Sequence, residues 1–279
     1  MPTVRLERAG KFGPVGVVDT ASTRRFTIGG VLQGASLLRP PASSVPGVTA
    51  RGPGPVIETR YQLAWLLAGQ RHPAGRGVML GLGGGCGAVG LLHEFPGLSL
   101  DAVEADPAMA TMARESHPLV AHYERVGRLR IHVADATSYL SRQNGGHDFV
   151  LADVTVNADS LPVAGSEALV RAVVRAAPEA WLRVFGSLPD GEVHPVLDRF
   201  ATAGRPVDWL LSPVSPTVPI PRPRDWVLAS GVRELPIPGA HGPFARMGSV
   251  IEPIRAAYRK LVLTALPGPG TGGGRGFQC

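Results

Sequence analysis

Five glycines fall within seven positions of the stretch VMLGLGGGCGAVGLL, which spans residues 78–92 between two apolar runs. They are Gly81, Gly83, Gly84, Gly85 and Gly87. Glycine has no Cβ atom, so the backbone N–H groups of such a loop can approach a ligand closely where the next helix begins. The spacing of Gly83, Gly85 and Ala88 fits a dinucleotide fingerprint, but the loop also fits a site for a single nucleoside. A tight turn that only packs strand against helix is the structural alternative.

Acidic residues end the next two predicted strands, and their chemistry separates these interpretations. Glu104, followed by Ala105, comes about twenty residues after the loop, where a carboxylate can accept hydrogen bonds from both hydroxyls of a ribose. Asp135, followed by Ala136, ends the strand after that, where a carboxylate can accept from the amino group of adenine. A compact adenosine pocket needs both acids, whereas a dinucleotide enzyme has no particular need of the second. Taken alone, Asp135 could instead cap the helix that begins at TSYL.

Alternating strands and helices must position these side chains. From residue 78 the strands are predicted at VMLGL, LSLDAVEA, RLRIHVAD and HDFVLADV, with helical segments between them. This alternation predicts a doubly wound, mostly parallel α/β sheet, whose ligands bind beyond the carboxyl ends of the strands. The pattern also predicts one long helix over residues 166–182, followed by a strand.

The segments on either side of this region differ in character. Residues 1 to about 40 read as short strands, with Gly29 and Gly30 as a hairpin turn, and a Pro/Gly-rich linker follows. We therefore divide the chain into an N-terminal β region with its linker (1–58), a nucleoside-binding domain (59–231) and a C-terminal extension (232–279). The extension is predicted to hold one helix within residues 249–266 and a mobile Gly/Pro-rich tail.

Composition limits the function classes. The chain has 279 residues, of which 44% are hydrophobic, and a formal net charge of +6. Nearly all of the positive charge comes from scattered arginines, which disfavours a nucleic-acid partner. No apolar run reaches the roughly 18 residues of a membrane span, and MPTVRLERAGKFG lacks the apolar core of a signal peptide, so we expect a cytoplasmic protein. The two cysteines lack metal-ligand spacing, and no metal site is expected.

The chain resembles the spermidine synthase-like group of class I S-adenosylmethionine-fold enzymes in four motifs of matching order and spacing: VMLGLGGGCGAVG, VEADPAM, IHVADATSYL and HDFVLADV. Two N-terminal segments, GGVLQG and TRYQLA, resemble the family's glycine–glutamine strand end and its Tyr-Gln helix start. The resemblance covers about residues 15–230. It implies a Rossmann-like methyltransferase fold with a small N-terminal β domain, and S-adenosyl-L-methionine as the cofactor.

The resemblance also implies roles for individual residues. Gln33 and the loop glycines would lie at the amino-acid end of the cofactor, Glu104 would hold the ribose, and Asp135 would hold the adenine. Asp153 and Tyr61 would lie beside the reacting sulfonium. The glycines concerned are Gly81, Gly83 and Gly85.

Two departures from the family pattern bear on which group is transferred. The family's aminopropyltransferases carry an aspartate where this chain has Cys86, and an Asp-Ser-Ser-Asp pattern where it has Asp153-Val154-Thr155-Val156. Both missing carboxylates would serve cationic amines, whose charges would be poorly compensated without them. We therefore expect an S-adenosylmethionine-dependent methyltransferase. The alternatives are an aminopropyltransferase that uses decarboxylated S-adenosylmethionine, and a non-catalytic nucleoside-binding scaffold.

Candidate catalytic residues follow from this interpretation. Asp153 is the candidate general base for an acceptor that must lose a proton, but it could equally cap a helix or bind the amino group of the cofactor. Tyr61 could orient the acceptor or only close the core against Trp65. A covalent role for Cys86 is disfavoured because no histidine accompanies it at a plausible spacing. Breaker-rich segments 39–55 and 212–224 are expected to form walls of the cleft around a small organic substrate, and a homodimer is one assembly that the sequence allows.

Overall fold

The computed structural model describes residues 3–21, 23–38, 62–143, 145–154, 165–185, 194–212, 225–234 and 262–265. Within these ranges the chain forms a small antiparallel sheet and a larger, mostly parallel sheet with helices on both faces. The predicted Rossmann-like α/β fold with an N-terminal β sheet is therefore confirmed. In the part of the chain that the structure describes, no helix is long and apolar enough to cross a membrane.

The smaller sheet is antiparallel throughout, and its described strands follow one another in chain order. Their bounds are β1 Thr3–Arg8, β2 Val15–Asp19, β3 Thr23–Ile28 and β4 Val31–Leu37. Gly29 and Gly30 join β3 to β4 with φ angles of +56° and +80°. Positive φ at both positions is what a two-residue hairpin turn requires, so the predicted hairpin is confirmed.

The larger sheet has the order β12-β10-β11-β9-β8-β5-β6-β7 within the described residues. Its strands are β5 Arg76–Leu80, β6 Ser99–Glu104, β7 Leu129–Val133, β8 Phe149–Ala152, β9 Glu179–Phe185, β10 Val207–Ser212, β11 Asp225–Ser230 and β12 Val262–Ala265. The strands from β7 through β6, β5 and β8 to β9 are parallel, and β11, β10 and β12 continue the sheet in antiparallel fashion. The carboxyl ends of the parallel strands therefore share one edge.

Helices cover both faces of this sheet. Their bounds are α1 Gln62–Arg71, α2 Cys86–Glu94, α3 Pro107–Ser116, α4 Pro118–Arg125, α5 Ala136–Ser141, α6 Glu167–Ala176 and α7 His194–Thr202. One apolar core contains Trp65, Leu91 and Tyr123 from α1, α2 and α4. The other contains Leu169 of α6 and Phe200 of α7. Each face of the sheet thus buries its own set of helices, as a doubly wound fold requires.

The predicted long helix over residues 166–182 is wrong in its second half. Helix α6 ends at Ala176, and strand β9 begins at Glu179. Pro178 explains the break, because proline disfavours a helical conformation in the residue before it, and Ala177 is extended at φ −154° and ψ 155°. Trp181 and neighbouring apolar residues of β9 are fully buried, so the segment is a central strand of the sheet.

The C-terminal extension also differs from the prediction. Residues Val262–Ala265, which lie in the predicted helix of 249–266, form β12 and pair antiparallel with β10. Pairing with the exposed edge of β10 outweighs the helical periodicity of this short apolar run. The rest of the predicted helix and the Gly/Pro-rich tail lie outside the described residues.

The small sheet shares an apolar core with two helices of the larger domain. Phe26 and other residues of β2 and β3 pack with Cys86 of α2 and with Met109 and Met112 of α3. Polar contacts reinforce this junction, because the Lys11 N–H donates to Asp106 Oδ2 at 2.7 Å. The small sheet is therefore packed directly on the helices that follow β5 and β6.

A buried histidine lies in the same junction. His117, between α3 and α4, is 0% exposed and its ring stacks on Phe26 with the ring centroids 6.2 Å apart. Neither of its ring nitrogens has a hydrogen-bond partner among the described residues. Burial lowers the pKa of His117 to about 4, because the charged imidazolium would lose its hydration there.

This histidine predicts a loss of stability in mild acid. The unfolded chain takes up a proton near the ordinary histidine pKa of about 6.5, whereas the folded chain does so only near 4, so the free energy of unfolding falls as the pH drops through this window. The His117→Phe variant keeps an aromatic ring and should show a flatter pH dependence, by up to about 1.4 kcal/mol per pH unit. Urea unfolding between pH 7 and 4.5 measures this difference. His122, on the partly exposed face of α4, also has a lowered pKa through partial burial and nearby arginines, and His122→Phe should flatten the slope less than His117→Phe. A wild-type slope for His117→Phe would contradict the prediction.

Candidate active site

The glycine loop joins β5 to α2 and lies against the neighbouring strand end. Gly81 has a φ of +86°, and a Cβ atom there would lie 2.0 Å from the carbonyl oxygen of Asp153, just past β8. Gly85 is the N-cap residue of α2 and also has a positive φ, of +82°. The glycine at position 81 is therefore required by the chain's own backbone, whatever ligand the loop holds.

The N-terminal sheet packs on the other side of the same loop. A Cβ atom at Gly83 would lie 2.8 Å from the backbone oxygen of Gln33, and one at Gly84 would lie 2.3 Å from the ring of Phe26. The structure thus brings Gln33 and the loop together, as the sequence resemblance implies. It also supports the packing alternative in part, because two of the glycines accommodate β3 and β4.

Glu104 lies at the end of β6 with its carboxylate facing the loop. Its Oε2 accepts hydrogen bonds from the N–H groups of Leu82 and Gly83 at 3.1 and 3.0 Å, and its Oε1 accepts from the N–H of Asp106 at 3.0 Å. The side chain is buried, and burial raises the pKa of Glu104 although the three backbone donors lower it. Glu104 therefore fixes the loop onto the end of β6, and a carboxylate with about four acceptor positions keeps capacity for one ribose hydroxyl, where the sequence predicts two.

Asp135 lies on the adjacent strand end and caps α5. Its Oδ1 accepts from the N–H of Ser138 at 2.8 Å, which confirms the N-cap alternative, while the residue itself is exposed. Glu104 stands opposite Val133 in the register of β6 and β7, so Asp135 lies two residues beyond that pair. Ala105 and Ala136 directly follow the two acids, with Ala136 as the first residue of α5. The structure therefore gathers all four residues at the carboxyl edge of the sheet.

Asp153 has an ion-pair partner that the sequence analysis missed. Its backbone N–H donates to the oxygen of Leu80 at 2.8 Å, which holds it against the end of β5. Its Oδ1 accepts from Nη1 of Arg183 at 2.9 Å, and both side chains are less than one-fifth exposed, at 18% and 17%. A single charged residue within the apolar strand segment AWLRVF was the signal that could have identified Arg183.

Several predicted features lie elsewhere. Cys86 is 2% exposed and packs in the junction with the N-terminal sheet, where its side chain approaches Gly34. Tyr61 and the predicted cleft walls of 39–55 and 212–224 lie outside the described residues, as do Thr155 and Val156, except that Ser212 ends β10. Their proposed roles stay predictions.

Comparison with known proteins supports the fold. No family model and no curated protein matches the chain. A probable spermidine synthase from Corynebacterium glutamicum ATCC 13032 matches with a TM-score of 0.61 at 16% identity, covering 91% of this chain and 87% of that chain. The spermidine synthase from Thermotoga maritima has a TM-score of 0.57 at 14% identity, covering 83% and 73% of the two chains. A spermidine synthase in complex with the transition-state analogue AdoDATO has a TM-score of 0.55 at 13% identity, covering 83% and 74%.

The chain has the fold of the spermidine synthases. At these identities the likeness establishes the fold, and it extends over most of each chain. The spermidine synthase-like fold places the glycine loop, Glu104, Asp135 and the Asp153–Arg183 pair along one edge of the larger sheet. This edge is where ligands bind in doubly wound sheets.

Proposed function

We propose that the protein binds an S-adenosyl sulfonium nucleoside and transfers one of its alkyl groups to a small-molecule acceptor. The observation that supports this proposal most directly is the sequence of three adjacent parallel strand ends. Strand β5 ends in the glycine loop, β6 ends in Glu104 and β7 leads to Asp135. These strand ends offer exposed backbone N–H groups, one carboxylate for a ribose and a second carboxylate for an adenine. Together they suit an adenosine held in a single pocket.

In this proposal each residue has a defined task. The loop and Gln33 bind the amino-acid end of S-adenosyl-L-methionine, Glu104 with Ala105 binds the ribose, and Asp135 with Ala136 binds the adenine. The bound sulfonium supplies the activated carbon, and the chain's main task is to align that carbon with the nucleophile. Asp153 already accepts an N–H from Arg183, which supports its alternative role of binding the cofactor over its role as a general base.

Methyl transfer is supported by the chemistry of the site. Cys86 and Val156 stand where the family's aminopropyltransferases have acids, and Arg183 offsets the charge of Asp153. A dicationic amine acceptor would therefore meet less negative charge than it needs among the described residues.

Aminopropyl transfer is the second candidate, and the comparisons support it at least as well. Two of the three solved structures are spermidine synthases and the third is a probable spermidine synthase, and their match covers most of this chain. In that case decarboxylated S-adenosylmethionine would be the donor.

Titration calorimetry with S-adenosylmethionine, its decarboxylated form and S-adenosylhomocysteine separates the candidates. Tighter binding of the carboxylated nucleosides is expected for a methyltransferase, and preference for the decarboxylated form would favour aminopropyl transfer. Failure of all three nucleosides to bind would overturn both the proposed function and the nucleoside-binding scaffold.

Asp135 offers a test in which folding and binding separate. Serine is as good an N-cap as aspartate, so Asp135→Ser should keep the cap of α5 while losing the carboxylate that faces the adenine. We expect wild-type thermal stability and about tenfold weaker binding of S-adenosylhomocysteine. Asp135→Ala removes both functions and should also lose about 1 kcal/mol of stability. Wild-type affinity in Asp135→Ser would show that the residue is only a cap.

A further inference from the structure

The Asp153–Arg183 ion pair lies beside the part of the loop that is proposed to hold the nucleoside. It lies at the carboxyl edge of the sheet, where β8 and β9 end beside the glycine loop. Nη1 of Arg183 donates to Oδ1 of Asp153 at 2.9 Å, and both side chains keep some exposure.

Opposite charges side by side are complementary to an α-amino acid group. Such a group carries an ammonium and a carboxylate on one carbon, so Asp153 can bind the ammonium while Arg183 binds the carboxylate. Arginine suits the second task because its guanidinium is permanently charged and its planar donors match the geometry of a carboxylate. Insertion of the amino-acid group would replace one ion pair with two.

The position of the pair relates it to the cofactor. The carbonyl oxygen of Asp153 lies 2.0 Å from the position that a Cβ atom of Gly81 would take, so Asp153 directly adjoins the loop that would hold the amino-acid end of the nucleoside. We propose that Asp153 and Arg183 together form a zwitterion clamp for the amino-acid end of S-adenosylmethionine, and that Arg183 selects the carboxylated nucleoside over its decarboxylated form. This inference rests on the proposed nucleoside-binding function and specifies its donor.

Three sulfides with the same adenosine test the clamp. S-adenosylhomocysteine carries ammonium and carboxylate, its decarboxylated analogue carries the ammonium alone, and methylthioadenosine carries neither. The wild-type protein should bind S-adenosylhomocysteine about tenfold to a hundredfold more tightly than the decarboxylated analogue, as expected for one charge-assisted contact. Arg183→Met should lose this preference and bind methylthioadenosine as the wild type does. Arg183→Lys should keep part of the preference, because the positive charge remains.

A matched control comes from another partly exposed ion pair. Arg114 of α3 pairs with Glu124 of α4 at 2.8 Å, so Arg114→Met removes an arginine of similar type from a different part of the fold. This variant should keep the wild-type preference. Binding of methylthioadenosine by Arg183→Met shows that its pocket is folded.

Several results would overturn the clamp. If the wild type binds methylthioadenosine but does not prefer S-adenosylhomocysteine, the clamp is wrong while the proposed nucleoside binding stands. An unchanged preference in Arg183→Met would likewise contradict the clamp and leave the proposed nucleoside binding intact. If none of the three nucleosides binds the wild type, the proposed function itself fails.

Discussion

Replacement of Gly81 with alanine is expected to destabilise the protein by about 3 kcal/mol and to abolish nucleoside binding. Two costs add, because alanine at a φ of +86° occupies the left-handed region and its Cβ atom would lie 2.0 Å from the Asp153 carbonyl oxygen. The left-handed backbone conformation costs about 1–2 kcal/mol for alanine. The steric overlap, as an overpacking effect, costs about 1–3 kcal/mol. Relief of the overlap would separate the ends of β5 and β8, between which the nucleoside's amino-acid end is proposed to bind.

Gly204 provides a control with nearly the same backbone conformation. Its φ is +84°, and no atom lies within 4 Å of an added Cβ. Gly204→Ala should therefore cost only the conformational term of about 1–2 kcal/mol and leave nucleoside affinity unchanged. Chemical unfolding and calorimetry on both variants measure the two effects. Equal losses of stability in the two variants would show that the contact with Asp153 relaxes without cost.

Removal of the Asp101 carboxylate is expected to lower the free energy of unfolding by at least as much as Gly81→Ala. Asp101 of β6 is 2% exposed and accepts hydrogen bonds from three cationic or titratable side chains. The donors are Arg76 at 2.7 Å, His132 at 2.8 Å and His147 at 3.2 Å. Asp101→Asn leaves these groups without their counter-charge, and loss of one partner from a buried ion pair costs about 3–5 kcal/mol. Urea unfolding at pH 7 measures the loss.

The same carboxylate predicts a second acid transition. Burial would raise the pKa of Asp101, but the hydrogen bonds from His147, His132 and Arg76 outweigh it and hold the pKa well below its ordinary value of 3.8. A depressed folded pKa means that the stabilisation is complete above the unfolded value and is lost as the pH falls below it. This low-pH loss should be absent from Asp101→Asn.

Glu167 supplies the comparison for Asp101. Glu167 pairs with Arg171 one helical turn away, but its side chain is 63% exposed. Glu167→Gln should therefore change the free energy of unfolding by only a few tenths of a kcal/mol. A loss of similar size in Asp101→Asn would show that the cluster around Asp101 is solvated and adds little.

Local patterns sufficed for the elements that position the site. Apolar runs at VMLGL and LSLDAVEA predict buried strands, and the glycines and acids that follow them mark the strand ends, since these signals lie within a few residues of one another. The break at Pro178 was missed because the helical periodicity of α6 continues into an apolar segment. That segment is β9, and its burial depends on pairing with β8 and β11, which are distant in sequence.

The missing parts of the site depend on pairings that no local pattern reports. Asp153 and Arg183 are 30 residues apart, and only the parallel alignment of β8 and β9 brings them together. Likewise, the contact of Phe26 with Gly84 depends on how the small sheet docks, and nothing in either segment specifies the other. The three hydrogen bonds from backbone N–H groups to Glu104 also depend on the loop being folded onto β6, so the sequence does not predict them.

The interlock of Phe26 and Gln33 with the glycine loop has a consequence for recombination of this protein. A chimera that takes residues 3–38 from a homologue would place new side chains against Gly83 and Gly84, where there is no room for a Cβ atom between the small sheet and the glycine loop. Modular exchange should therefore succeed only when the β3–β4 hairpin and the segment 81–86 are transplanted together. In evolution, substitutions in either segment should be tolerated chiefly when the other changes with them.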